Sequence, residues 1–145
     1  LSNGVSSEIL FDYEAIQRGF IISRPVSDTH YDRLLDNGDK IIRVQIKSTA
    51  HKKRNRWHVK AHSKVYGSYE LYGNRVDVIA IHIKPENVWV FYMSSDIKVK
   101  DLYVSTKTSN NWNIFDAKED QAKAIRMHYP LRDNEELRQR GDKTG

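Results

Sequence analysis

A chain of 145 residues with 39% hydrophobic and 10% aromatic side chains can bury one sizeable core, which excludes a mainly disordered segment. It has no cysteine, so disulfides and thiolate metal sites are excluded and a reducing, cytoplasmic setting is expected. The formal net charge of +5 is unevenly spread: between Lys40 and Tyr69 lie nine Lys or Arg residues and no Asp or Glu, with His51, His58 and His62 in the same span. Such a block repels itself unless a polyanion is near, and with aromatics interleaved it favours nucleic acid over a merely solvated face. No apolar run approaches membrane-spanning length, so no membrane partner is expected, and nothing at the start resembles a signal peptide. The chain opens on Leu1, from which an initiator and a few residues upstream are expected.

The pattern over 6–18 predicts a helix. Ile9, Leu10, Tyr13 and Ile16 form an apolar stripe, widened by Phe11 and Ala15. Ser6 or Ser7 caps it, Glu8 falls in its first turn, and Gly19 stops it. Residues 20–23 read as a short strand ended by Pro25. A hairpin follows: Asp32 on its first strand, a turn at Asp36-Asn37-Gly38-Asp39, and a second strand over 40–48. Residues 50–56 read as a basic loop and 57–61 as a third strand. The Tyr- and Gly-rich 62–74 is expected to be loop or a short helix. Residues 76–83 form a buried strand, Pro85-Glu86-Asn87 a turn, and 88–93 a strand packed beside it. An edge strand is expected within 96–105 and a polar loop over 106–113. Asp116-Ala117-Lys118-Glu119 fits a capping box opening a helix to about His128, with Pro130 breaking it and a last helical piece at 134–140. The order predicts a mixed α/β fold, in one domain over 1–145, around one central mixed sheet flanked by helices.

The hairpin carries the chemistry. On its second strand Ile42, Val44 and Ile46 alternate with Arg43, Gln45 and Lys47, and period-two alternation sends the sets to opposite faces. Gln45 and Lys47 therefore point together, on the side where Asp32 meets them across the hairpin. A carboxylate and an amide oxygen suit a hard divalent cation, and an adjacent ammonium suits a charged transition state. Each residue also has a plainer reading: Glu8 as a helix-terminal charge, Asp32 as a turn cap, Gln45 as a surface residue, Lys47 as one more member of the basic block.

Taken together, SSEILFDYEAIQRGF, YDRLLDNG and RVQIKST resemble the PD-(D/E)xK nuclease superfamily, most closely its group I intron-associated homing branch. The resemblance covers about 4–95, leaving 96–145 as a helical and loop extension. It implies a restriction-endonuclease-like core and a site-specific endonuclease that hydrolyses phosphodiesters in double-stranded DNA, leaving 5′-phosphate and 3′-hydroxyl ends. By position, Glu8 matches the helix glutamate, Asp32 the central metal-binding aspartate and Lys47 the lysine. Gln45 departs from the usual Glu or Asp, as it does in the intron-associated branch, and leaves the number of metals open. Asp32, Gln45, the Ile46 carbonyl and Glu8 are the metal candidates. Mg²⁺ is the expected cofactor, with Mn²⁺ substituting and Ca²⁺ binding without turnover.

For DNA contacts the candidates are Lys52, Lys53, Arg54 and Arg56 directly after that strand, placed for phosphates beside the scissile bond, then Lys60, His62, Lys64 and Tyr66. Asn110, Asn111 and Asn113 are candidates for adenine edges, or an ordinary Asn-rich turn. His58 and His62 have a helical zinc spacing but fall in strand-like sequence, which argues against a zinc site. Cutting both strands implies a homodimer or tetramer, with Ala122, Ile125 and Met127 or the segment 66–72 as candidate interfaces. Alternatives are a restriction or junction-resolving nuclease of the same fold, an inactive DNA-binding module, and a basic RNA-binding domain.

Overall fold

The computed structural model describes residues 6–65 and 68–116, with backbone alone at 64, 65, 68 and 69. The helix α1 spans Ser7–Gln17; Ser6 is its N-cap, its side chain accepting the Glu8 N–H at 3.1 Å. Gly19 closes it with φ of 87°, a conformation that only glycine takes without strain. The expected stripe is not the buried one. Ile9, Tyr13 and Ile16 are exposed, whereas Phe11 and Ala15 are fully buried, with Leu10 partly so. Two overlapping stripes run along this helix, and periodicity does not say which one meets a sheet. Ala15 lets the backbone approach closely and Phe11 enters an aromatic nest of Trp89, Trp112 and Phe115.

The main sheet has five strands, which lie side by side as β1 Ile21–Ser23, β2 Arg33–Asp36, β3 Ile41–Thr49, β8 Val78–Ile83 and β9 Val88–Met93. All neighbours are antiparallel except β3 and β8, which run parallel from Val44↔Val78 to Thr49↔Ile83. The β2–β3 turn is held by Asn37, whose Oδ1 accepts the N–H groups of Asp39 and Lys40 at 2.9 Å each. β8 is buried along its whole length, as its unbroken apolar run implies.

The expected central mixed sheet is present, and among the described residues a three-stranded and a two-stranded sheet accompany it. The basic segment is not a loop: β4 Lys52–Lys53 turns back through Arg54 and Asn55, both at positive φ, into β5 Arg56–Lys60. β5 lies between β4 and β10 Asp101–Val104 in a three-stranded sheet. The segment 62–74 is likewise a hairpin, β6 Ser63–Val65 and β7 Ser68–Glu70, followed by a 3-10 turn at Gly73–Arg75. These strands have two or three residues each, too few positions to show a period in the sequence. A further 3-10 turn, Trp112–Phe115, ends at Asp116, and the expected helices beyond it, with Ala122, Ile125 and Met127, lie outside the described residues.

Two apolar layers result. α1 and the Trp112–Phe115 turn cover one face of the main sheet through Phe11, Leu35, Val44, Ala80 and Phe91. The three-stranded sheet covers the other through Trp57, Val59, Ile79, Ile81, Leu102 and Val104. Phe11→Ala should lower stability by about 3–5 kcal/mol in urea unfolding, whereas Ile16→Ala should stay within about 0.5 kcal/mol.

Candidate active site

Asp32 stands one residue before β2, not on it as expected. β2 ends its ladder with β3 at Arg33↔Val44. Asp32 still donates its N–H to the Val44 carbonyl at 2.8 Å, and its Oδ2 accepts the Ile46 N–H at 2.8 Å. The side chain thus takes the position that a next strand residue would have held. The N–H and C=O of one strand residue point to the same side, so the Ile46 carbonyl also faces the gap that β2 leaves. Extending the β2–β3 register by one residue sets Asp32 opposite Gln45. Both Gln45 and Lys47 are half-buried.

Lys47 lies between the two sheets. Its Nζ is 5.3 Å from the centre of the Tyr72 ring and 3.5 Å from the His62 carbonyl. Tyr72, expected within a loop or interface segment, is 4% exposed and belongs to the core. Burial pushes its hydroxyl up to about 12, with the Asp32 charge adding to the effect. Burial also lowers the Lys47 ammonium from its ordinary value, against the pull of Asp32. It raises the Asp32 carboxyl, helped by Glu8 and opposed by the Ile46 N–H, Arg33 and Lys47.

Arg33 is the site residue that the motifs do not reveal. It is 5% exposed, and its Nε and Nη2 grip Asp12 at 2.6 and 3.1 Å. Its Nη1 donates to the Asp32 carbonyl at 2.7 Å and to Glu8 Oε1 at 3.2 Å. A buried guanidinium with two carboxylate partners on a helix ties α1 to β2 and brings Glu8 to the Asp32 side. Arginine directly after a motif aspartate, with acids four residues apart on a helix, is a signal that sequence contains but that spacing alone leaves ambiguous.

The oxygens that this site could offer are hard ones: the second Asp32 oxygen, the Ile46 carbonyl and the Glu8 carboxylate that Arg33 holds nearby, with Gln45 opposite Asp32 in the extended register. Their chemistry suits a small divalent cation. Among the described residues no group of three or more His, Asp or Glu is placed to hold a metal.

Of the remaining candidates, His62 touches Lys47 through its carbonyl at 3.5 Å. Lys52 and Lys53 are exposed on β4, packed over Trp57 and Tyr103 at 5.2 and 5.9 Å, with Arg54 exposed in the turn. Arg56 begins β5, which ends at Lys60, about 13 Å away at about 3.3 Å per residue. Lys47 Nζ reaches the His62 carbonyl, two residues beyond the end of β5, and the β4–β5 turn lies at the other end of that strand. Tyr66 and the side chain of Lys64 lie outside the described residues. Asn110 spends its Oδ1 on the Trp89 N–H at 2.9 Å, and Asn111 its Oδ1 on the Asn113 N–H at 3.3 Å. Asn110 thereby closes the β9 edge, at the opposite side of the main sheet from β2. Asn113 is exposed. His58 is on β5, bonded to Asp101 at 2.8 Å.

A carboxylate at the point where two strands part, with a lysine two residues beyond a polar partner on the longer strand, defines a nuclease-type core. The chain belongs to the PD-(D/E)XK endonuclease family, whose model matches residues 4–129. The match runs well past 95, where the likeness of the motifs ends. Among solved structures, one of a bacterial homing endonuclease, I-Ssp6803I, is similar in fold: TM-score 0.58 and 15% identity, over 85% of this chain and 90% of that one. No curated protein matches the sequence significantly. No helix among the described residues is long and apolar enough to cross a membrane.

The perturbed charges have a thermodynamic sign. A raised carboxyl stabilises the fold below the ordinary carboxylate range, and that contribution is lost as pH rises through the raised value. A lowered ammonium stabilises it above the ordinary lysine range, and that contribution is lost as pH falls through the lowered value. Around neutrality both charges are held against stability. Asp32→Asn, which keeps an acceptor for Ile46, and Lys47→Met should each raise the melting temperature at about pH 7. The gain from Asp32→Asn should shrink as pH falls toward the ordinary carboxylate range; thermal melts across pH read both.

Proposed function

We propose that this nuclease is a site-specific, divalent-metal-dependent DNA endonuclease of the intron-homing type. The observation that carries the reading is the Asp32 carboxylate held by the Ile46 N–H where β2 ends, within electrostatic reach of Lys47, which is half-buried over Tyr72. The homing endonuclease among similar folds supports the same reading. Mg²⁺ is the proposed cation, with Mn²⁺ able to replace it.

Asp32, the Gln45 amide and the Ile46 carbonyl would hold the cation, with Glu8 beside them. The bound cation supplies Lewis acidity at the scissile phosphate. Asp32 provides the negative charge of the site, and its backbone bond from Ile46 fixes which oxygen remains for the ion. Gln45 presents an oxygen without adding charge, so the site repels an incoming phosphodiester less than two carboxylates would. Lys47 donates to the charge that develops on phosphate or orients the attacking water; its lowered pKa, caused by burial, makes it a better proton donor. Lys60 and His62 would flank the site on the DNA, and the β4–β5 tip would reach phosphates farther along the duplex. Cleaving both strands would use two copies in a symmetric assembly.

Incubation with supercoiled plasmid carrying an intronless copy of the host gene tests the reading. One discrete double-strand cut is expected with Mg²⁺ and none with EDTA, and Lys47→Ala should slow it by about 10²–10⁴-fold. Binding without cutting under any divalent metal would leave a DNA-binding module. Cutting at a short recurring site or at branched DNA would favour a restriction or junction-resolving enzyme. Removing both Lys52 and Lys53 should lower the slope of log K against log salt by about 0.9 for each phosphate no longer neutralised, read in fluorescence titrations.

A further inference from the structure

Three polar groups share one buried cation beside the candidate site: Asp12, the Asp32 carbonyl and Glu8. Arg33 is 5% exposed, so its guanidinium meets almost no water and must be satisfied by protein. Asp12 takes the Nε and Nη2 edge in a two-point grip at 2.6 and 3.1 Å. Nη1 is shared between the Asp32 carbonyl at 2.7 Å and Glu8 Oε1 at 3.2 Å. The Asp12 carboxylate is 15% exposed while that of Glu8 is 46% exposed. The longer, more exposed contact is the weaker of the two. Arg24 also reaches Asp12 Oδ2, at 3.1 Å, from a more exposed position.

We propose that Asp12 is a positioning residue for the cation site: by engaging the fork of Arg33 it leaves Glu8 only loosely paired, and so available to the cation that Asp32 holds. The inference rests on the metal-dependent reading above. Glu8 cannot give its carboxylate fully to both a buried guanidinium and a divalent ion. If Asp12 loses its charge, Arg33 keeps its own, and Glu8 is the nearest acid left to neutralise it. Glu8 is then drawn into a full ion pair and away from the cation. Arg33 acts on the site in two ways, through the Glu8 carboxylate and through the backbone of Asp32. Asp12 acts through Arg33 alone. This separates a positioning role from a general loosening of α1, because the effect of Asp12 must vanish when Glu8 cannot ionise.

Mn²⁺ binding, followed by calorimetry without DNA and by Mn²⁺ titration on a non-cleaved DNA duplex, tests this. Asp12→Asn should weaken Mn²⁺ binding about 10–100-fold, the range for partners that orient metal ligands. In a Glu8→Gln background Asp12→Asn should cause less than about a twofold further change, a double-mutant cycle with strong coupling. Asp12→Glu, which keeps the charge, should recover most of the affinity. Arg33→Lys keeps the buried charge without the fork and serves where Asp12→Asn loses its cooperative melt; it should weaken binding more in the Glu8 background than in the Glu8→Gln one, where only its contact with the Asp32 carbonyl is lost. Equal losses in both backgrounds, or no loss in either, overturn the proposal. Absence of Mn²⁺ binding by the unaltered protein, with and without DNA, overturns the cation reading on which it rests.

Discussion

The hydrogen bond from the Ile46 N–H to the Asp32 carboxylate organises the site. β3 is nine residues long and β2 only four, so β3 outruns its partner on one side while β8 still pairs with it on the other. A strand left unpaired in mid-sheet would bury polar backbone without partners. Asp32 resolves this by replacing a strand residue with a side chain. The same replacement brings a carboxylate and a backbone carbonyl to one gap, with the Lys47 charge close enough to act on the carboxylate. Hence the geometry of the site follows from the way the sheet ends there.

The charges at that gap are arranged against stability. Asp32 and Lys47 are each disfavoured in ionised form by burial, and each is partly rescued by the other. Arg33 is buried too, but its two-point contact with Asp12 satisfies it. The surrounding layers supply what the site withholds: an aromatic cluster under α1 and an aliphatic one between the sheets. His82, fully buried, bonds Ser7 at 2.8 Å and Asn87 at 2.9 Å, so the first turn of α1, which carries Glu8, is anchored to β8 as well. Membership of the PD-(D/E)XK family fits this economy, in which a short polar motif rides on a strongly apolar sheet.

Much of this was legible in residue order. Alternation in Ile42 to Lys47 placed Gln45 and Lys47 on one face, and the β-branched run near Val78 announced a buried strand. Ser6 and Gly19 bounded α1. The hairpins at Lys52–Lys53 and Ser63–Val65 were not legible, since a two- or three-residue strand has too few positions to show a period. Nor was the buried face of α1, because Ile9, Tyr13 and Ile16 make as good a stripe as Phe11 and Ala15. The Asn residues near 110 had the right chemistry for bases, yet Asn110 is engaged in closing the β9 edge.

Local order of the chain decided the mixed α/β class, the motif residues Glu8, Asp32, Gln45 and Lys47, and the one-sided basic block. These depend on residue type and on short-range backbone periodicity, which a linear reading carries. Tertiary structure decided that Asp32 stands off the strand, that Tyr72 lies under Lys47, that Arg33 links Asp12 and Glu8, and that the β4–β5 turn lies at the end of β5 away from Lys47. Each of these is a contact between segments separated by at least a dozen residues, or a distance set by the course of a strand. Such facts arise from competition among buried polar groups for a few partners, and that competition is settled only when the layers pack.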